Sequence, residues 1–127
     1  MRNLSRMRVL WIVCWSWMVG VAVAGGRYED PPMHLVEVQK LSQQALEAAK
    51  QGNKDAALES AKQGRKLAVQ SYKEKSTMPM QVASSSLKGA IGSLESGNLP
   101  DAMTQLEHAL NKLNEEVDYY KKEGKLK

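Results

Sequence analysis

The sequence predicts an all-α fold: an antiparallel up-down-up-down four-helix bundle built from two duplicated helical hairpins. Three observations predict it. Two segments echo each other, Ala45-Leu46-Glu47-Ala48-Ala49-Lys50-Gln51-Gly52-Asn53-Lys54-Asp55-Ala56 and Ala90-Ile91-Gly92-Ser93-Leu94-Glu95-Ser96-Gly97-Asn98-Leu99-Pro100-Asp101-Ala102. Each reads as helix, Gly-Asn stop, helix: the glycine suits the left-handed position past a helix end, the asparagine can cap the next helix, and the acid sits in that helix's positive first turn. Apolar residues also return every three or four positions over four segments, with no alternating strand pattern. Finally, two-residue links after the first and third helices force antiparallel neighbours, and a short middle link adds a third antiparallel step.

The N-terminal stretch, 1–24, reads as a secretory signal. Arg2, Arg6 and Arg8 precede an apolar run over 9–23, and Ala22-Val23-Ala24 supplies the small-x-small cleavage pattern before Gly25. Cleavage near Ala24 implies a periplasmic or secreted protein with no membrane span once the signal is gone. It also removes Cys14, Trp11, Trp15 and Trp17, leaving a mature chain with no Cys, Trp or Phe. Such a chain has no disulfide, thiolate ligand or cysteine nucleophile. Taking Arg2, Arg6 and Arg8 from the 18 basic residues leaves 15 against 14 acids, so the basic surplus belongs to the signal. A near-neutral mature chain with interspersed signs gives no electrostatic case for nucleic acid or an anionic membrane. The remaining length is that of one domain.

Residues 25–32, with Gly25, Gly26, Pro31 and Pro32, read as an extended leader. The bundle is expected over 33–123. Helix 1, at 33–51, carries Leu35, Val38, Leu41, Ala45 and Ala48 or Ala49 on one face. Helix 2, at 54–75, has a stripe of Ala57, Leu58, Ala61, Gly64, Ala68 and Tyr72, small enough to let a partner helix come close. Ser76-Thr77-Met78-Pro79 breaks the chain, since proline disfavours helix in the preceding residue yet suits a helix's first turn. Helix 3 then runs to 96 with Ala83, Leu87, Ala90, Ile91 and Leu94; Gly89, Gly92 and Ser84-Ser85-Ser86 make it the weakest helix former. Helix 4, at 99–122, has the clearest stripe: Ala102, Met103, Leu106, Ala109 or Leu110, Leu113, Val117 and Tyr120. Residues 124–127 form a C-terminal tail.

Chemistry-bearing residues are sparse. At about 100° per residue, His108 lies far round helix 4 from Leu106 and faces solvent. His34 shares the inward face of Leu41. Up-down-up-down topology brings the start of helix 1, the end of helix 2, the start of helix 3 and the end of helix 4 to one open end. Met33, Met78, Met80, Tyr72, Tyr119 and Tyr120 therefore gather near His34, and imidazole with thioether suits soft or borderline metals, copper above all. The candidate metal ligands are thus His34 with Met33, Met78 and Met80, and His108 as a surface position. The ion would be copper, as Cu(I) or Cu(II), or another divalent transition metal; no organic cofactor is expected, and a core without Phe or Trp offers little to wrap a porphyrin. Glu115 and Glu116 read as a solvated acidic face. No Ser-His-Asp set, phosphate loop or pair of buried acids can be drawn, so the chain is not read as an enzyme.

The chain from 34 to about 113 resembles the small metal-binding protein family, exported four-helix bundles dense in histidine. In helix 1, His34, Glu37, Lys40, Ala45, Lys50 and Gly52 fall on that pattern without a gap; helix 2 keeps Asp55, Leu58, Glu59, Ala61 and Lys62, and helix 4 keeps Ala102, Ala109, Leu110 and Leu113. The resemblance implies a metal-binding bundle that sequesters copper or other divalent ions. Where the family places histidines, this chain has Leu41, Ala48, Asn53, Ser60, Gln105 and Lys112, with Asn98 at the second turn, so the implied ligand set is reduced. The competing reading is a tetratricopeptide-like helical-hairpin module that binds a protein partner without metal. Gly52 and Gly97 lie 45 positions apart, against a recurrence of about 34 in that repeat.

Overall fold

The computed structural model describes residues 29–126; the expected signal and the start of the leader lie outside them. The described residues form four helices, α1 (Leu35–Lys50), α2 (Lys54–Glu74), α3 (Met78–Glu95) and α4 (Leu99–Lys122). Each helix packs on the next, and α4 returns to pack on α1, while α1 barely meets α3 across the diagonal. This closes an all-α, antiparallel four-helix bundle. It is the predicted fold.

Both tight turns follow the predicted chemistry. Gly52 and Gly97 take φ of 76° and 80°, a region open to glycine without a Cβ penalty. In the first turn the N–H of Asn53 donates to the Ala48 carbonyl at 2.8 Å and that of Gly52 to Ala49 at 3.0 Å; in the second Asn98 donates to Ser93 at 2.8 Å and Gly97 to Leu94 at 3.1 Å. This is the Schellman pattern, used twice. The Oδ1 atoms of Asn53 and Asn98 then accept from the N–H of Ala56 and Asp101, each at 3.2 Å, and cap the following helix. Ser93 Oγ donates to Asp101 across the second turn. The same motif recurs at Gly124, where Lys125 N–H reaches the Tyr120 carbonyl at 2.8 Å, and the chain folds back so that Leu126 packs on the core.

Helix 1 starts two residues later than the periodicity suggests. His34 has φ 65° and ψ 15°, a left-handed conformation that cannot continue a helix, so α1 begins at Leu35. Helix 2 ends at Glu74, because Lys75 is extended.

The four helices fill the core unequally. α2 buries Ala57, Ala61, Gly64, Ala68 and Ser71. A Cβ on Gly64 would lie 3.4 Å from both the Leu41 Cβ and a Leu87 methyl, so α2 sits tightly between α1 and α3. α4 instead buries Leu106, Leu110, Leu113, Val117 and Tyr120. Bulk on one side fits a narrow helix on the other.

Candidate functional site

Three cross-helix contacts fix the register of the open end. Gln39 Nε2 donates to Asn114 Oδ1 at 2.8 Å, which sets α1 level with α4. Gly64 against Leu41 and Leu87 does the same for α2 with α1 and α3. Following the antiparallel pairing outward, His34, Ser71, Met80 and the segment 116–120 fall in one layer.

His34 sits at the N-cap of α1 and is the single non-glycine with positive φ among the described residues. Its side chain makes no cap hydrogen bond. Instead Nδ1 lies 3.2 Å from Glu37 Oε2, one turn into the helix, with His34 24 % and Glu37 62 % exposed. An imidazole beside a carboxylate is the arrangement in which metal-bound histidines are commonly held.

The predicted thioethers scatter. Met33, next to His34, and Met78 are exposed, whereas Met80 is fully enclosed in the core. Met78 and Met80 stand two positions apart on α3 and so face opposite ways. Met80 lines the hydrophobic interior with Leu35 and Tyr120. Tyr72 is half-buried against that core, and Tyr119 meets Tyr120 edge to face with ring centroids 5.1 Å apart. His108 is exposed, as expected. Among the described residues no three His, Cys, Asp or Glu side chains come together in a way that could hold one ion. The site therefore offers one imidazole, one carboxylate near its Nδ1, and Met33 next to His34 in sequence.

Two features escaped the sequence reading. Glu116 is not part of a solvated face: it is 3 % exposed, whereas Glu115 is exposed and pairs with Lys112 at 3.9 Å. The physical reason is phase. Glu116 lies three residues after Leu113 and four before Tyr120, inside the buried stripe. Three buried hydroxyls, Ser42 Oγ, Ser71 Oγ and Thr77 Oγ1, lack a hydrogen-bond partner among the described residues, and two of them belong to the open end.

The second feature is charge. Near-neutrality of the expected mature chain conceals segregation: from 60 to 73 the chain has four cations, Lys62, Arg65, Lys66 and Lys73, and no acid, while from 101 to 118 it has five acids and Lys112 alone. A groove of about 410 Å³ runs along α2 and is lined by all four of those cations with Val69, Gln70 and Ile91.

Comparison with protein-family models, curated proteins and solved structures returns no match. The likeness to the small metal-binding family thus rests on the residues quoted above. No described helix is long and apolar enough to cross a membrane.

Proposed function

We propose that this is a small exported metal-binding protein of reduced capacity, which takes up one copper or other divalent ion at the His34 end of the bundle. The observation that carries the reading is the His34–Glu37 pair, an imidazole whose Nδ1 lies 3.2 Å from a carboxylate and which is still reachable by solvent. With Nδ1 beside the carboxylate, Nε2 is the nitrogen that would take the ion. The left-handed backbone at His34 adds to it, because strained non-glycine residues collect at functional positions. Met33, the preceding residue, would add a thioether, a donor that favours Cu(I) over harder ions. Met80 belongs to the core, and Met78 and His108 are at most surface donors. Catalysis forms no part of the reading.

Calorimetric titration with Cu(II), Zn(II) and, without oxygen, Cu(I) tests it. One saturable site should disappear in His34→Ala, weaken in Glu37→Ala, and survive in His108→Ala. An unchanged copper affinity in His34→Ala overturns the proposal. The alternative, a helical bundle serving a protein partner, is favoured by a different observation, the basic groove on α2.

A further inference from the structure

The groove along α2 has a defined chemistry. Its cations recur at Lys62, Arg65, Lys66 and Lys73, which at about 1.5 Å per residue spans some 16 Å of helix, or three turns. Between them Val69 and Ile91, both half-buried, form an apolar floor, and Gln70 adds an amide. Lys88 stands one turn from Ile91 on α3, a helix with no acid before Glu95. Glu95 pairs with Lys62 at 3.9 Å, across two exposed side chains, and among the described residues no carboxylate pairs with Arg65, Lys66 or Lys73. A long, concave, positively charged strip with an aliphatic floor thus stands open on one side of the bundle.

We infer that this α2–α3 groove is a docking site for an acidic amphipathic polypeptide segment of about three helical turns. Carboxylates of such a segment would meet Arg65, Lys66 and Lys73, Arg65 by a two-pronged contact, and at Lys62 would share the cation with Glu95. An aliphatic side chain between those carboxylates would cover Val69 and Ile91. Other polyanions fit less of the strip. Single-stranded nucleic acid gains much of its affinity by stacking on aromatic side chains, and none lines the groove. A bilayer is flat and binds helices that offer large exposed apolar groups; Met33 and Met78, the large hydrophobics exposed here, sit at the open end instead. The inference stands independently of metal binding at His34.

The test is fluorescence anisotropy of the purified protein with two labelled probes, a helical peptide alternating Glu with Leu at i, i+3 and i+4 spacing, and poly-L-glutamate of equal length. The expected result is saturable binding of both at low salt, tighter for the Leu-bearing peptide. The variant R65E/K66E/K73E, exposed positions whose circular dichroism should match the parent, weakens both by about tenfold or more, since charge reversal turns attraction into repulsion. Ile91→Asn removes the advantage of the Leu-bearing peptide and leaves poly-L-glutamate binding unchanged; R65Q/K66Q weakens both to a smaller extent. Absence of saturable binding, or an affinity unmoved by the charge reversal, overturns the inference. So does tighter, charge-dependent binding of a single-stranded oligonucleotide or of phosphatidylglycerol vesicles, which would hand the strip to nucleic acid or to membrane.

Discussion

After Gly52-Asn53 the chain enters α2, and after Gly97-Asn98 it enters α4, through turns whose backbone and asparagine-cap hydrogen bonds agree. Beyond those turns the two helices diverge. α2 buries alanine and glycine and carries more cations than acids, five to three; α4 buries leucine, valine and tyrosine and carries more acids than cations, five to three. The lesson is that a duplicated hairpin keeps what its backbone requires, the left-handed glycine and the capping asparagine, while the faces on either side of the helix are free to specialise.

Unequal core loading gives the largest expected effect. Leu106 and Leu113 are fully buried on α4, and Leu→Ala at such sites should destabilise by about 2–5 kcal/mol through lost transfer energy and a cavity. Ala61→Gly on α2 removes one methyl and some helix propensity and should stay near 1 kcal/mol. Urea unfolding measures both. Equal losses would break the contrast between a bulky and a narrow helix.

Next comes Glu116 against Glu115, neighbours on α4 with opposite burial. Glu116 is buried and engaged within the structure, so Glu116→Ala removes that interaction and buried side-chain volume together and should cost about 1–3 kcal/mol. Glu115→Ala loses a long, exposed ion pair and should lie within about 0.5 kcal/mol of the parent.

The turns sharpen the comparison from the other side, where the hairpins agree. Gly52→Ala and Gly97→Ala each force a Cβ into the left-handed region, at about 1 kcal/mol. Asn53→Ala and Asn98→Ala each remove a cap of similar worth. Each pair should match within a few tenths of a kcal/mol in denaturant midpoints scaled by m-value. A mismatch at the caps would point to Asp101, which accepts from Ser93 in the second turn alone.

What could be read from the sequence follows the same division. The fold was legible because Gly-Asn turns and apolar stripes are local signals, and both are borne out in α1 to α4. The start of α1 was not: periodicity carries Met33 and His34 into the helix, and nothing in the residue types announces that His34 adopts φ 65°. Glu116 was legible from its phase between Leu113 and Tyr120, but adjacency to Glu115 made the two look like one acidic cluster. Topology gathered the right helix ends around His34, yet being on one end is not being in one site: Met78 and Met80 take opposite sides of α3. The groove escaped because charge is nearly balanced over the expected mature chain, 15 cations to 14 acids, when the informative count is segment by segment.

That segregation leads to the smallest effect, which depends on sign more than size. Lys62, Arg65 and Lys66 are like charges three and four residues apart on α2, a spacing that destabilises a helix by roughly 0.2–0.5 kcal/mol per pair. Lys66→Gln should therefore be neutral or slightly stabilising. Lys112 on α4 stands among acids and pairs with Glu115 at 3.9 Å, so Lys112→Gln should be slightly destabilising, again by a few tenths of a kcal/mol. Both differences should fade when salt near 1 M shortens the screening length to about 3 Å. Opposite signs at low salt that converge at high salt would mark the two helices as electrostatically distinct surfaces on one scaffold. The same sign for both would mean that local pairing outweighs the field of each face, and the basic strip on α2 would then owe its persistence to something other than the stability of the bundle.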